Sequence, residues 1–500
     1  MAKKANSILL KKSAKIKIMI FRFALRRIPI VFFITLFFIL SITCIITILN
    51  PFPTVFLLGF IMFLGLFLCR RIEINLDDPN LKMLGYFWLI KVVIIFFFIF
   101  IFWIPNLDYY LTYFEGADPL RYYWQSLELI ENKWSPHSIN LNYMGVLYFY
   151  GGIFFIFGHN PFAPALVNSF ISLIASLYLI KTFYEIKYKR DNRDWLISFI
   201  LLIPEILFFE VNTSKEILVS SVLVIGILTL GRYFKKTSSI SLAQTIIIFT
   251  ISTIITAAVR TTMVVSIFAS AFIFIFFINS PRKFNLTKRL IIGTVVVFII
   301  LAAPIISNTI GGYSLDINEI IKKRTQVELR DEYLETRGWT EKSIGRQLVP
   351  INIFEAIIYT PIRMILYIIT PLPTIDAPLK ELFIGDYTSW ARLMHALTSI
   401  GYICLFPFVI SSLIKSIRGG KYTKSNYLLL QIAFWSVFIV VAGGNVMLHP
   451  RYRVMSDLFF FGCAWLGFTT SSRKFINQLL LLWCILLITG FIFYVAYKFF

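Results

Sequence analysis

The sequence predicts an all-α membrane protein with many transmembrane helices. Of its 500 residues, 58% are hydrophobic and 17% aromatic, whereas soluble domains are about 45–50% apolar. The apolar residues form runs of about 20, the length that a helix needs to cross a bilayer. Because a helix satisfies its own backbone hydrogen bonds, it is the expected structure for such runs in lipid.

About thirteen apolar segments have the length of a helical crossing. We expect them near residues 28–49, 53–69, 84–104, 162–183, 195–211, 213–232, 242–259, 261–279, 289–308, 391–414, 426–443, 455–470 and 475–497. Two further apolar stretches are too short or too rich in proline for a crossing. We expect residues 143–158 and 354–373 to form re-entrant or interfacial helices on the outer face.

Charge sets the expected topology. The net charge is +22, but the basic residues fall mostly in short loops between apolar segments, so membrane orientation explains them better than nucleic-acid binding. Placing these loops and the N-terminus in the cytoplasm puts the mixed polar loops outside. The five cysteines show no disulfide or metal spacing and are expected to pack among apolar residues.

Four regions follow from this topology. They are a basic tail with a helical hairpin (1–83), a membrane core (84–308) that includes the first outer loop (105–142), an outer-face loop with interfacial helices (309–390), and C-terminal transmembrane helices (391–500).

The first outer loop contains the acidic motif FEGADPLRYY. Pro119 favours a helix start, which makes Asp118 an N-cap in one interpretation. In the other, Asp118 is a catalytic carboxylate at the membrane edge that accepts a proton from a hydroxyl or binds a divalent cation. Arg121 of the same motif is then a substrate-binding residue.

Two outer turns place charges beside apolar helices. Lys215 and Glu216 end the turn VNTSKE, and Arg260 stands in AAVRTT. In one interpretation these side chains reach water or anchor the interface. In the other, Lys215 binds a phosphate, while Glu216 tunes it or binds an acceptor. Because an arginine at the bilayer centre costs at least about 2.5–3.5 kcal/mol, Arg260 should be interfacial or paired.

The segment HPRYRVMSDLFFF, at residues 449–461, leads into a late apolar helix. In one interpretation it is an interfacial anchor with an Arg453–Asp457 pair one helical turn apart. Arg451 and Arg453 are only two residues apart, however, so they point in different directions and one should face the interior. A guanidinium there suits phosphate oxygens, and His449 would belong to the same binding site.

In chain order, the motifs GADPLRYY, GVLYFYGGIFFIFGHNPFAPALVN and HPRYRVMSDLFFFGCAWLG resemble those of the C-type glycosyltransferase superfamily. The resemblance implies that a sugar passes from a polyprenyl phosphate or diphosphate to a glycan or glycolipid acceptor at the outer face of a bacterial inner membrane. It implies Asp118 as the base or a metal ligand, and Arg451 and Arg453 as phosphate-binding residues. The loop lacks a second adjacent acid, so no metal is assigned.

Three function classes follow from these features. The leading one is a glycosyltransferase that adds one sugar or polymerises repeat units of a surface polysaccharide, with Lys215 and Arg260 in the same anionic pocket. A lipid-linked oligosaccharide flippase or other transporter would instead place charges and broken helices near the membrane midplane. A membrane scaffold would leave the one-sided polar loops unexplained.

Overall fold

A computed structural model describes residues 87–88, 90–95, 97–99, 118–135, 144–158, 162–186, 194–235, 241–276, 291–299, 302, 348–350, 353–370, 387–418, 421–444 and 449–499. All regular structure within these ranges is helical. The all-α expectation is therefore confirmed. The predicted crossings at 28–49 and 53–69, and most of the outer loop 309–352, lie outside the described residues.

Twelve α-helices are numbered here along the described chain. They are α1 (Asp118–Glu131), α2 (Met144–Phe157), α3 (Phe162–Ile186), α4 (Pro204–Glu210), α5 (Lys215–Lys235), α6 (Leu242–Arg260), α7 (Val264–Phe276), α8 (Ile353–Ile369), α9 (Tyr387–Arg418), α10 (Lys421–Gly444), α11 (Val454–Thr470) and α12 (Arg473–Phe499). Short 3-10 helices occur at Asp194–Leu202, Thr261–Met263 and Pro450–Tyr452.

Several of these helices can cross a membrane by length and composition. Five stretches of the described chain qualify: Phe162–Glu185, Lys215–Lys235, Leu242–Phe276, Ser389–Arg418 and Arg473–Gly490. Shorter apolar helical stretches occur at Tyr427–Gly443 within α10 and Val454–Thr470, which is α11. A polytopic membrane protein is consistent with these helices, and the total of thirteen crossings stays a prediction.

Contacts between helix termini define two ends of the bundle. Glu216, at the start of α5, lies beside Arg260 at the end of α6, and α5 and α11 also meet near their starts. At the opposite end, Arg232 of α5 donates two hydrogen bonds of 2.8 and 2.6 Å to Glu185 of α3. We call the end that contains Glu216 and Arg260 the site end. The opposite end is called the basic end, because it holds Arg232, Lys235, Lys415, Arg418, Arg473 and Lys474.

The two crossings predicted around Arg260 form a helical hairpin. Helix α6 runs to the site end, where the backbone becomes extended at Arg260 with φ −157° and ψ 86°. Helix α7 then returns, since Phe274 near its end packs against Gly231 near the basic end of α5. Arg260 therefore occupies the apex of the hairpin.

The segment predicted as a crossing at 195–211 is broken in the structure. A 3-10 helix ends at Leu202, and α4 begins at Pro204, whose ring removes the amide needed to continue a helix. At the start of α4, Glu205 contacts Arg453 beside α11, and at its end Glu210 contacts Lys91. The predicted crossing at 195–211 thus stays a prediction, and its second part, α4, carries Glu205 and Glu210 to two ion pairs.

Helix α8 lies along the site end, and its interfacial position stays a prediction. Thr360 near its middle packs against Gly443 at the end of α10, and Thr370 just after it accepts a hydrogen bond from Arg453. Arg363 and Tyr367 are buried. The outward face is apolar and exposed, through Phe354, Ile357, Ile358, Ile362 and Ile365. Such a helix suits a boundary with lipid.

Close packing of α5 against α6 yields a stability prediction. A Cβ added at Gly226 would lie 2.7 Å from Ser252 Cβ, so Gly226→Ala should lower the unfolding free energy by about 1–3 kcal/mol through overpacking. Gly152→Ala is the matched control, since a Cβ there meets nothing within 4 Å. Thermal unfolding of the purified protein in detergent measures both, and equal midpoints would contradict this packing.

Candidate functional site

A buried ion pair occupies the centre of the site end. Glu205 Oε1 accepts a hydrogen bond from Arg453 Nη2 and lies 2.7 Å from His395 Nδ1. Arg453 Nη1 donates to the carbonyls of Tyr367 at 2.8 Å and Thr370 at 3.0 Å. Arg453 is fully buried, so these contacts compensate the loss of hydration of its charge. They join α4, α8, α9 and the start of α11.

Asp457 has a different partner from the predicted one. Its Oδ1 accepts a 2.7 Å hydrogen bond from the Tyr402 hydroxyl, while Arg453 forms its ion pair with Glu205. The Arg453 guanidinium also lies 4.7 Å from the centroid of the Tyr402 ring. Arg453 is therefore held by tertiary contacts to other helices rather than by the expected helical pair with Asp457.

A second buried ion pair fixes the other end of α4. Lys91 Nζ lies 2.6 Å from Glu210 Oε1 and donates a 3.0 Å hydrogen bond to Ser172 of α3. Asn168 donates to the carbonyl of Asn212 at 2.9 Å. Since Lys91 and Glu210 are both 0% exposed, each charge depends on the other. The turn at 211–216 is thus anchored on its α4 side.

The turn after α4 places two charged side chains inside the protein. Lys215 and Glu216 are each 3% exposed, so the interpretation that they reach water is wrong. Lys215 Nζ donates a 3.0 Å hydrogen bond to the Tyr122 hydroxyl. Glu216 Oε1 lies 3.8 Å from Arg260 Nη1. Of the two alternatives for Arg260, interfacial or paired, the structure shows a partner for it, Glu216.

Tyr452 brings two arginines to the same place. The Arg260 guanidinium lies 4.3 Å from the centroid of its ring, and the Arg451 guanidinium lies 5.1 Å from it. Arg451 Nη2 also donates a 3.2 Å hydrogen bond to the Tyr452 hydroxyl. Both arginines are partly exposed. We define the rim as Arg260, Arg451 and Tyr452 together with Lys215 and Glu216 of the adjoining turn.

The rim has the chemistry of an anion-binding site. It holds three cations and one carboxylate, in a partly enclosed setting that strengthens electrostatic attraction. The His395 ring lies 5.9 Å from the His449 ring, which lies 6.1 Å from the Tyr452 ring, so His449 connects the rim to the buried pair. Guanidinium groups bind phosphate or carboxylate oxygens with two parallel hydrogen bonds.

Helix α1 packs against the turn that follows α4. Its Pro119 carbonyl accepts a hydrogen bond from Thr213 of the turn. Arg121 is exposed and lies 5.7 Å from the Tyr122 ring centroid. Tyr123 packs edge-on against Phe154 of α2 at 4.8 Å, and burial raises its pKa to about 12.

The predicted site residues divide into three groups. Glu216, Arg260 and Arg451 come together in the rim, and Lys215 lies in the adjoining turn with its Nζ on the Tyr122 hydroxyl. His449 is adjacent, with its ring 6.1 Å from that of Tyr452, and Arg121 is on the exposed side of α1. Asp118 begins α1, and its side chain lies outside the described set. Arg453 is the inward arginine, but its Nη groups bind protein oxygens, so the geometry favours Arg451 for a ligand.

Sequence reasoning missed the residues that support the rim. Lys91, Glu205 and His395 are single ionisable residues in apolar stretches, and such residues inside a membrane usually mark function. That signal was present in the sequence. Tyr452 had no such signal, because only the fold brings Arg260 to its ring.

Metal binding by Asp118 stays a prediction. In the described part of the chain, no group of three or more His, Cys, Asp or Glu side chains is arranged to hold a metal ion. No family model, curated protein or solved structure matches this chain. Function is accordingly argued from the side chains of the site.

The buried pair yields a second stability prediction. Arg453→Met should lower the unfolding free energy by about 3–5 kcal/mol, because Glu205 is left buried without its cation. Adding Glu205→Gln should recover part of that loss. Arg451→Met, on the rim, is the matched control and should lower the unfolding free energy far less. Thermal unfolding of the three variants measures this, and equal losses for Arg451 and Arg453 would refute the assignment.

Proposed function

We propose that this protein is a membrane glycosyltransferase whose rim binds the phosphate of a polyprenyl-linked sugar. The observation that carries the proposal is that Arg260 and Arg451 meet at the Tyr452 ring beside the turn that contains Lys215 and Glu216. The two arginines and the neighbouring Lys215 outnumber the Glu216 carboxylate, so the rim favours an anion. It also lies at the ends of apolar helices, where the phosphate of a lipid carrier would be found.

The site end is proposed to face the non-cytoplasmic side of a bacterial inner membrane. The basic end carries Arg232, Lys235, Lys415, Arg418, Arg473 and Lys474, and cytoplasmic loops are enriched in such residues. The N-terminus is then cytoplasmic. Donor and acceptor would both be lipid-linked or surface glycans, which meet at the outer leaflet.

The proposed reaction uses the rim to stabilise a leaving group. An acceptor hydroxyl attacks the anomeric carbon of the donor sugar, and the bond to the phosphate oxygen breaks. Lys215 and Arg451 stabilise the negative charge that develops on the phosphate. Asp118, at the start of α1 beside the turn, is a candidate base or ligand of a divalent cation. Addition of one sugar and polymerisation of repeat units would use the same rim.

A flippase or other transporter is the second candidate, and the broken segment at Pro204 favours it. Transporters use interrupted helices with charged groups near the midplane. The ion pairs of Glu205 and Glu210 lie instead near the starts of α5 and α11, which supports chemistry at one membrane face.

Loss of the rim arginine should weaken transfer. Arg451→Ala is expected to lower turnover about 10–100-fold, since a hydrogen bond to a charged group contributes about 1.5–3 kcal/mol. Arg473→Ala, which removes an exposed arginine at the basic end, is the control. The assay supplies proteoliposomes with lipid extract from the native host and measures released polyprenyl phosphate or diphosphate by mass spectrometry. Unchanged release by the Arg451→Ala variant would contradict phosphate binding by the rim.

Sidedness can be measured by cysteine labelling. In a cysteine-free background, Arg121→Cys should react with a membrane-impermeant maleimide from the periplasmic side. Lys474→Cys should react only after the membrane is permeabilised. Both side chains are exposed, so accessibility depends on the side of the membrane. The reverse pattern would contradict the proposed topology.

A further inference from the structure

Glu216 differs from the other buried glutamates of the site. The carboxylates of Glu205 and Glu210 are in direct contact with Arg453 and Lys91. Glu216 lies 3.8 Å from its cation, Arg260. It is 3% exposed, and its Oε1 receives no hydrogen bond from the described residues. Glu205 Oε2 and both Glu210 oxygens also receive none, but each of those carboxylates is in direct contact with a cation, whereas Glu216 is not. A buried carboxylate oxygen with no donor is costly unless a ligand supplies one.

The surroundings of Glu216 match the needs of an acceptor hydroxyl. Lys215 precedes it in the chain, and Arg260 lies beside it in the rim. A hydroxyl that donates to Glu216 Oε1 would therefore lie next to the cations proposed to hold the donor phosphate. The described contacts thus bring a proton acceptor and a phosphate site together, which is the arrangement that glycosyl transfer requires.

We propose that Glu216 accepts the proton of the acceptor hydroxyl during transfer. The inference rests on the proposed function and adds to it the group that activates the nucleophile. As the acceptor oxygen bonds to the anomeric carbon, the bond between that carbon and the phosphate oxygen breaks. The bonding electrons leave with the phosphate, and the acceptor proton moves to Glu216. Loss of that proton to water restores the carboxylate.

Arg260 is a positioning residue in this scheme. At 3.8 Å its guanidinium orients Glu216 without a direct hydrogen bond in the described structure, which leaves Oε1 for the hydroxyl. The competing interpretation makes Glu216 only a counter-charge that keeps Arg260 in place. The two roles of Glu216, base and counter-charge, predict different phosphate binding when Glu216 is replaced. Removing a counter-charge disturbs Arg260 and its phosphate, whereas removing a base leaves phosphate binding intact.

The test uses full-length protein in liposomes with Glu216→Gln, Glu216→Asp and Asp118→Asn. Turnover is the release of polyprenyl phosphate or diphosphate from native lipid extract, and binding of undecaprenyl phosphate is measured by native mass spectrometry. Glu216→Gln should lower turnover about 10²–10⁴-fold and bind undecaprenyl phosphate at least as tightly as wild type. Glu216→Asp should restore part of the turnover with a changed pH profile. Glu131→Gln, at an exposed glutamate of α1, is the control.

Two results would overturn the assignment of Glu216. One is a turnover rate for Glu216→Gln equal to that of the wild type. If Asp118→Asn then abolishes release, Asp118 is the base. The other is loss of undecaprenyl phosphate binding by Glu216→Gln, which would make Glu216 a counter-charge. Wild-type protein that neither binds undecaprenyl phosphate nor releases it would overturn the proposed function itself, whatever the variants do.

Discussion

The buried ion pair between Glu205 and Arg453 is the interaction on which the rest of the site depends. Neither charge is stable in an apolar interior unless the other is present. Because Arg453 also binds the carbonyls of Tyr367 and Thr370, the pair fixes α4 and α8 against the long helices. Lys91 and Glu210 fix the far end of α4. The turn that carries Lys215 and Glu216 is thereby held inside the protein.

The two arginines of HPRYRV have separate tasks. Arg453 points inward and donates its Nη hydrogens to Glu205 and to backbone oxygens, whereas Arg451 is partly exposed. Tyr452, between them in sequence, holds Arg260 and Arg451 around one aromatic ring. A rigid inner arginine thus supports an outer one that remains accessible. This division suits a site that receives a charged headgroup at a membrane boundary.

Much of the architecture was predictable from the sequence, whereas the supporting contacts were not. Hydrophobic runs predicted the helices and the hairpin at Arg260, and charge placement predicted that Lys215, Arg260 and Arg451 would share one end. The break at Pro204 was readable as a proline in an apolar run. The pairing of Glu205 with Arg453 joins residues 248 positions apart, and local pattern carries no information on such a contact. Asp457, one turn from Arg453, was the only partner that spacing could suggest.

Binding of undecaprenyl phosphate, compared with undecaprenol, tests most directly whether the rim is a phosphate site. Wild-type protein would be placed in nanodiscs of neutral lipid and titrated with each ligand over a series of salt concentrations. A phosphate site predicts that undecaprenyl phosphate binds more tightly than undecaprenol and that added salt weakens the difference. Equal binding of the two lipids at every salt concentration would contradict it, because the apolar chain alone would then account for the affinity.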